Sequence, residues 1–284
     1  MSQIVYVNGE FVPDQEARVS VFDRGFLFGD GVYEVIPVIN GRLVDREHAL
    51  SRLERSLGEI DMDWPCSRDE YIGIQESLIE RNGVREGIVY SQVTRGAAPR
   101  DFAYPEDARP TLVAFANSKA LIDNPAAETG VAVVSVPDLR WKRRDIKSVS
   151  MLAQCMAKQA AMSQNATEGW MLEDGLVTEG ASSSAFIVSD GTIITRALSS
   201  SILPGIRRKV ILEIAAAQQL ELVERPFSLE EALQADEAFL SSASTLVLPV
   251  VSLDGQAIGD GRPGPVTRSL RDAYVRRLRA EAGE

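Results

Sequence analysis

The chain of 284 residues has one histidine and two cysteines, and this scarcity excludes several kinds of site. His48 alone cannot build a histidine-rich metal centre, and no nucleophile elbow accompanies it to indicate a Ser-His-Asp triad. Cys66 and Cys155 are too few for a disulfide framework and lack the spacing of metal ligands. We therefore expect no metal site and a reducing compartment.

Long apolar runs and an excess of basic charge are also missing. No apolar stretch approaches the roughly 18 residues of a membrane helix, and the N-terminus has no basic segment followed by an apolar one. The formal net charge is -11, whereas nucleic-acid binding requires a basic face that neutralises phosphates. The composition thus predicts a cytoplasmic protein whose partners are small molecules, with no nucleic acid and no membrane.

Turn and capping residues mark the ends of strands and the starts of helices along the chain. Asn-Gly or Asp-Gly dipeptides between β-rich runs predict two-residue hairpin turns, and they begin at Asn8, Asn40, Asp174, Asp190 and Asp254. Capping-box spacing predicts helices after Ser67 and Ser228, Pro204-Gly205 precedes another helix, and a basic amphipathic helix ends the chain. Hairpins mixed with helices, without strict βαβ alternation, predict an α+β fold with antiparallel or mixed sheets.

A polar segment separates two β-rich halves of the sequence. Residues 116–130 contain Pro125 and few large apolar side chains, which is typical of an interdomain linker. We expect an N-terminal α/β domain at residues 1–117, a linker at 118–129 and a C-terminal domain at 130–284.

Lys147 precedes a pattern that predicts a helix. From Ser148 onward, Val149, Leu152, Met156 and Ala160 are spaced three to four residues apart, as on one face of a helix. Lys147 would then lie at the helix N-terminus, whose partial positive charge lowers the pKa of an amine. Because the neutral amine is the nucleophilic form, we interpret Lys147 as a reactive lysine.

Glu179 is a second polar residue in an unusual place. It lies between two strand-like segments and is followed by a run of small residues that permits close approach. A buried carboxylate there needs a partner, whereas a glutamate at a strand end facing water needs none. The sequence pattern is compatible with both interpretations.

Two further segments have the features of an anion site. The helix start after Pro204 offers backbone N–H groups, and a serine-rich strand end follows later in the chain. The residues concerned are Gly205, Ile206, Arg207, Ser241, Ser242 and Ser244. These features together match pyridoxal 5'-phosphate. A reactive amine can bind its aldehyde, a buried carboxylate can pair with its pyridine nitrogen, and a helix start can bind its phosphate.

The motifs FDRGFLFGDGVYEV, VTRGAAPRDF, RWKRRDIKS, LVTEGASSSAF and LPGIRRKV resemble, in order and spacing, those of the fold-type IV (class IV) aminotransferases. The likeness extends over nearly the whole chain and is greatest to the D-amino-acid branch of that family. It implies a two-domain homodimer with pyridoxal 5'-phosphate between the domains. The implied reaction moves an amino group between D-amino acids of the D-alanine type and 2-oxo acids such as 2-oxoglutarate.

The resemblance also implies roles for individual residues. Lys147 would be the Schiff-base lysine and proton shuttle, Glu179 would pair with the pyridine nitrogen, and Tyr33 would complete the catalytic set. The implied cofactor-binding residues are Arg52, Lys147, Glu179, Ser183, Ile206, Arg207, Ser242 and Ala243. The implied substrate pocket consists of Tyr33, Val35, Arg100 and Phe102. Arg100 would receive the substrate α-carboxylate, either from the same subunit's loop or from that of the neighbouring subunit.

Several positions depart from the family pattern. Phe102 stands where D-amino-acid enzymes carry histidine, and Arg207 and Ala243 stand where we align threonines. His48 is shifted by one residue from the usual His-x-x-Arg-Leu spacing, and Pro37 replaces a polar or basic residue. These departures leave (R)-selective amine transamination, branched-chain L-amino-acid transamination and aminodeoxychorismate lyase activity open as alternatives.

Overall fold

The computed structural model describes residues 3–284, which form two compact units. The first unit contains the described residues up to Ala120 together with Ile146–Ser150 and Leu278–Glu284. The second contains Leu121–Asp145 and Met151–Arg277. The first passage from one unit to the other thus falls inside the predicted linker, whose limits stay a prediction. Among residues 3–284, no helix is both long and apolar enough to cross a membrane.

The first unit is built on a six-stranded antiparallel sheet. Its strands are β1 (Ile4–Val7), β2 (Glu10–Pro13), β3 (Gly31–Ile39), β4 (Arg42–Leu43), β5 (Gly87–Thr94) and β6 (Thr111–Ser118), in the spatial order β2-β1-β6-β5-β3-β4. Its helices are α1 (Arg24–Phe28), α2 (Arg46–Gly58) and α3 (Arg68–Arg81). The core includes the fully buried side chains of Ile36, Leu53 and Leu78. Burial of such side chains is the main force that holds the helices on the sheet.

The second unit is built on a nine-stranded mixed sheet. Its strands are β7 (Val131–Pro137), β8 (Glu168–Glu173), β9 (Leu176–Gly180), β10 (Ser184–Ser189), β11 (Thr192–Thr195), β12 (Leu222–Glu224), β13 (Glu237–Ser242), β14 (Leu246–Leu253) and β15 (Gln256–Ala257). Its helices are α4 (Ala126–Thr129), α5 (Leu152–Ser163), α6 (Ile206–Ala217), α7 (Leu229–Gln234) and most of α8 (Pro265–Glu281). The strand order is β12-β11-β10-β13-β14-β7-β8-β9, and β15 pairs with β14. The predicted α+β class is confirmed.

All five predicted hairpin turns are present. Each Asn or Asp has φ between 46° and 53°, and each following glycine also has a positive φ. Only glycine and, at some cost, asparagine or aspartate adopt this left-handed conformation, which a type I' turn requires at both positions. The turns join β1 to β2, β3 to β4, β8 to β9, β10 to β11 and β14 to β15. Local turn chemistry therefore determined the strand registers of these pairs.

The predicted helix starts are also confirmed. Ser67 Oγ accepts a hydrogen bond from Glu70 N at 3.2 Å at the start of α3, and Ser228 Oγ accepts from Glu231 N at 3.2 Å at the start of α7. Helix α6 begins directly after Gly205. These caps satisfy N–H groups that a helix leaves without an internal partner.

The prediction that a helix begins after Lys147 is wrong. Helix α5 begins at Leu152, and the residues before it run beside β3, with Tyr33 N donating to Lys147 O and Val149 N donating to Gly31 O, both at 3.0 Å. Bonds to a strand thus take the place of helical bonds. The partial charge of a helix terminus therefore gives no argument about the Lys147 amine.

The apolar face that we predicted for α5 is wrong as well. Leu152 is 76% exposed and Met156 is 53% exposed, whereas Ala157 and Ala161 are buried. A side chain at Gly169 of β8 would place its Cβ 2.9 Å from Ala157 O. The helix approaches the sheet so closely that only its small residues fit there, and the large apolar ones face outward.

Candidate active site

Lys147 and Tyr33 lie together in the first unit. Lys147 is half-buried, and its Nζ lies 4.2 Å from the centroid of the Tyr33 ring, within the range of a cation–π contact. The Tyr33 ring stacks on Tyr90 at 5.4 Å, and Tyr90 stacks on Phe115 at 4.9 Å. Burial raises the pKa of the Tyr90 phenol, which donates to Gln92 Oε1 at 2.8 Å. The three stacked rings hold Tyr33 in place beside the amine.

Arg52 is paired with a carboxylate that the sequence analysis missed. The guanidinium is buried in α2, and its Nε and Nη2 donate to the two oxygens of Glu34 at 2.8 and 2.7 Å. This two-pronged contact restricts the orientation of the arginine plane. One turn further along α2, Ser56 Oγ accepts from Lys147 N at 3.4 Å. Helix α2 thus contacts both β3 and the segment that carries the lysine.

The predicted substrate-binding residues divide into two places in the first unit. Val35 and Tyr33 alternate with Glu34 along β3, so they share one face of the sheet. Arg100 is exposed on the loop after β5, with its guanidinium carbon 5.4 Å from the Phe28 ring centroid and 5.6 Å from that of Phe102. Arg100 forms no ion pair with any of residues 3–284. Its cation is therefore available to an anion from solution.

Glu179 is buried in β9 of the second unit, and its carboxylate accepts hydrogen bonds from a guanidinium and from a backbone N–H group. Arg140 Nη1 donates to Glu179 Oε1 in a short contact, and Leu203 N donates to the same oxygen at 3.0 Å. The interpretation of Glu179 as a glutamate facing water is wrong. The partner that a buried carboxylate needs is Arg140.

Arg140 is itself held by a second carboxylate. Its Nε and Nη2 donate to the oxygens of Asp138 at 3.0 and 2.7 Å, and Thr178 Oγ1 donates to Asp138 Oδ2 at 2.7 Å. Burial tends to raise the pKa of Asp138, but the bonds and charge of Arg140 outweigh it and lower that pKa. Burial likewise opposes the charge on Arg140, yet Asp138 and Glu179 raise its pKa. The arginine thus stays charged and fixes the Glu179 carboxylate.

The turn after Glu179 is held by another buried carboxylate. Glu168 accepts from Ser182 Oγ at 2.6 Å and from Ser183 Oγ at 3.2 Å. Gly180 N donates to Ser183 O at 2.7 Å. Ser183, a predicted cofactor-binding residue, is therefore oriented by Glu168.

Helix α6 begins without a side-chain cap. Its N-cap residue is Gly205, and its first residues, Ile206 and Arg207, are buried. Arg207 Nη1 donates to Tyr274 Oη at 3.0 Å. A Cβ on Gly205 would lie 2.8 Å from Ser184 Oγ, which shows how near the helix start lies to β10. An uncapped N-terminus of this kind can bind an anion through its N–H groups.

The end of β13 lies next to the same strand. Ser241 pairs with Ser184 across the sheet, and its buried Oγ has no hydrogen-bond partner among residues 3–284. Ser242 Oγ contacts Thr245 Oγ1 at 2.8 Å, and Ala243 follows it in the turn to β14. A buried hydroxyl without a protein partner costs free energy unless a ligand or water satisfies it.

Four residues that hold the site were missed from sequence. They are Glu34, Asp138, Arg140 and Glu168. Arg140 stands in the motif RWKRRDIKS, but this motif contains five basic side chains, and nothing in their spacing indicates which one reaches Glu179. Glu34 and Glu168 lie in strands where alternation predicts only a face.

Comparison with known proteins places these features in a family context. The family model described as amino-transferase class IV matches residues 31–253. A D-alanine aminotransferase of Staphylococcus haemolyticus is 40% identical over 273 residues, which cover 95% of this chain and 96% of that protein. One of Bacillus licheniformis is 38% identical and covers 99% of each chain. The structure of the Escherichia coli branched-chain amino acid aminotransferase aligns with a TM-score of 0.90 at 25% identity, over 98% of this chain and 95% of that one.

Proposed function

Because the chain belongs to the class IV aminotransferase family, we propose that it is a pyridoxal-phosphate-dependent transaminase acting on D-amino acids of the D-alanine type. The amino group is transferred to 2-oxo acids such as 2-oxoglutarate. The observation that carries the substrate class is the likeness, over nearly the full length, to relatives named D-alanine aminotransferase. The structural likeness to the branched-chain enzyme supports the assignment of the fold, but it does not indicate that this chain acts on branched-chain amino acids.

The residues present fit pyridoxal 5'-phosphate. The uncapped start of α6, at Ile206 and Arg207, and the unsatisfied hydroxyl of Ser241 suit a phosphate. Arg52, whose orientation Glu34 restricts, adds a cation of the kind that binds phosphate oxygens. We assign Ser183, Ser242 and Ala243 to the same cofactor site. Bound pyridoxal phosphate would supply an aldehyde for an amine and a pyridine ring that withdraws electrons.

Lys147 and Glu179 have the two chemical roles of this site. Lys147 Nζ would accept the proton that leaves the substrate Cα and donate it to the carbon that receives the amino group, and the Tyr33 ring beside it would restrict the position of the amine. Glu179 would stabilise a protonated pyridine nitrogen, and Arg140, which donates to the Glu179 carboxylate, fixes the orientation of that carboxylate. Both assignments are carried over from the family motifs.

Arg100 binds the substrate α-carboxylate in this proposal. It is an exposed arginine that has no carboxylate partner among residues 3–284, and its planar fork matches a carboxylate with two parallel hydrogen bonds. Phe102 and Val35 line the remainder of the substrate pocket. Phe102, in place of histidine, leaves this part of the pocket apolar.

A half-reaction tests the function directly. The purified yellow enzyme is mixed in turn with D-alanine, L-leucine and (R)-1-phenylethylamine, and loss of the yellow absorbance is followed. We expect D-alanine to bleach the enzyme fastest, because it has both the D configuration and a carboxylate for Arg100. Bleaching by L-leucine alone would contradict the D-amino-acid assignment.

(R)-selective amine transamination is the second candidate. The observation that favours it is the pair of neighbouring rings, Phe28 and Phe102, whose centroids lie 5.6 Å apart and which both contact the Arg100 guanidinium, since such a pair suits an uncharged substituent. Faster bleaching by (R)-1-phenylethylamine than by D-alanine would select this candidate.

The chain is a homodimer in this proposal. Val21, Phe22, Phe26 and Phe102 are all more than half exposed in the first unit, and a surface of large apolar side chains is typical of a protein interface. Light scattering during gel filtration should give a molar mass twice that of the chain. A monomeric mass with full activity would contradict the assignment.

A further inference from the structure

The loop that carries Arg100 is tied down on both sides of this residue. On the N-terminal side the ties are backbone bonds: Arg24 N donates to Gly96 O at 2.8 Å, and Ala98 N donates to Phe22 O at 3.2 Å. Backbone bonds of this kind do not depend on side-chain identity. They fix the start of the loop at residues 96–98.

On the C-terminal side the tie is one side chain. Arg24 Nη1 donates to Asp101 O at 2.6 Å and to Ala103 O at 3.2 Å, and Arg24 Nη2 donates to Phe102 O at 3.3 Å. Three successive carbonyls thus point at one guanidinium. Arg100 lies between these two sets of bonds. The next residue, Asp101, is bonded to Arg24 through its carbonyl, so the backbone at Arg100 has little freedom to move.

The guanidinium of Arg24 is itself buried and held. It is 3% exposed, and its Nε donates to Asp30 Oδ2 at 2.7 Å. Arg95 donates to both oxygens of the same carboxylate at 2.8 and 3.1 Å. Two cations therefore share one anion, and the loop carbonyls supply the remaining negative dipoles around Arg24. The loop and the arginine stabilise each other.

One aromatic ring contacts both arginines. The Phe28 centroid lies 4.9 Å from the guanidinium carbon of Arg24 and 5.4 Å from that of Arg100. Phe28 ends α1, the helix that Arg24 begins. The position of Arg100 is thus linked to Arg24 through the backbone of the loop and through this ring.

We infer that Arg24 is a positioning residue for substrate specificity: it holds the loop at Asp101–Ala103 so that Arg100 is pre-organised to receive the substrate carboxylate. This inference rests on the proposed function, in which Arg100 binds that group. Arg24 does not touch the substrate. It acts on binding because a carboxylate fork loses affinity when its donors are displaced by a fraction of an ångström.

The test is a two-residue cycle in the D-alanine half-reaction of the complete enzyme. Arg24→Met keeps the stem but removes the guanidinium, and we expect it to raise the half-saturating D-alanine concentration by about tenfold or more. The bleaching rate at saturation should change by less than about threefold, since the proton-transfer groups are untouched. In the double variant with Arg100→Met, Arg24→Met should add nothing further, because the anchor that it positions is gone.

Two further variants separate positioning from folding. Arg271→Met removes another buried arginine, which donates to four backbone carbonyls at 2.7–3.1 Å, and it should lower the Tm while leaving the half-saturating D-alanine concentration unchanged. Arg24→Lys keeps the charge but reaches fewer of the three carbonyls, so it should show a smaller rise of the same kind. It replaces Arg24→Met if that variant does not fold.

The possible outcomes distinguish a failure of the proposed function from a failure of the role of Arg24. If D-alanine does not bleach the unaltered enzyme, the proposed function is overturned and this inference with it. If D-alanine bleaches the unaltered enzyme and Arg24→Met leaves the half-saturating concentration within twofold, only the role of Arg24 is overturned. Additive effects of Arg24→Met and Arg100→Met would overturn it as well.

Discussion

Changing Lys147 to alanine is expected to lower the turnover of D-alanine by about 10⁴-fold or more, because one amine has two functions. It is proposed to attach to the cofactor and to carry the substrate proton. No other lysine is placed beside Tyr33 in the described part of the chain. The measurement is the steady-state rate with D-alanine and 2-oxoglutarate, together with the colour of the purified variant.

The fold should survive this change. The contact of the Lys147 side chain with the Tyr33 ring contributes little stability, and the segment is held to β3 by backbone bonds that alanine retains. Lys142→Ala is the matched control, since Lys142 lies in the same motif but is almost fully exposed and pairs with Glu173 at 3.7 Å. Its activity should equal that of the unaltered enzyme. If Lys147→Ala kept more than a hundredth of the turnover of the unaltered enzyme, the assignment of Lys147 as the reactive amine would be wrong.

Changing Glu179 to glutamine should lower the rate at saturating D-alanine by about 10²–10³-fold, as loss of one pre-organised electrostatic contact typically does. Glutamine keeps the shape of the side chain and can still accept from Leu203 N, so the Tm should fall by only a few degrees. It removes the charge that, in the proposed function, would keep a pyridine nitrogen protonated. Cofactor content, measured after gel filtration, should remain near that of the unaltered enzyme.

Glu173→Gln provides the control for Glu179→Gln. Glu173 lies in the same hairpin and accepts from Arg144 at 2.8 and 3.0 Å, and these bonds lower its pKa. It therefore matches Glu179 as a carboxylate paired with an arginine, but it has no proposed role in the site. Its rate should stay within twofold. A rate in Glu179→Gln above a tenth of the original would refute the role of Glu179.

Much of the local structure could be predicted because it depends on neighbouring residues alone. Asn-Gly and Asp-Gly form type I' turns since these residues tolerate a positive φ, and Ser67 and Ser228 cap helices through a residue three positions away. The order of the motifs along the chain was sufficient to identify the family, whose model matches residues 31–253.

The segment around Lys147 shows where such reasoning fails. The spacing from Val149 to Ala160 is helical, but bonds to β3 are available to residues 146–149, and these long-range bonds prevail. The close approach of α5 to Gly169 then selects alanines for the buried face. Neither β3 nor β8 is near this segment in sequence, so periodicity could not reveal the competition.

The sequence by itself determined the turns, the caps, the class of fold and the identity of the chemical groups, because each of these follows from short-range sterics or from motif order. Only the tertiary structure decided which charges meet. The chain has 30 basic and 41 acidic residues, and any of them could pair on charge alone. Strand pairing and helix packing bring Glu34 to Arg52, Arg140 to Glu179 and Arg24 to three loop carbonyls. Burial then makes these few contacts strong, since a charge removed from water must be satisfied by whatever the fold places beside it.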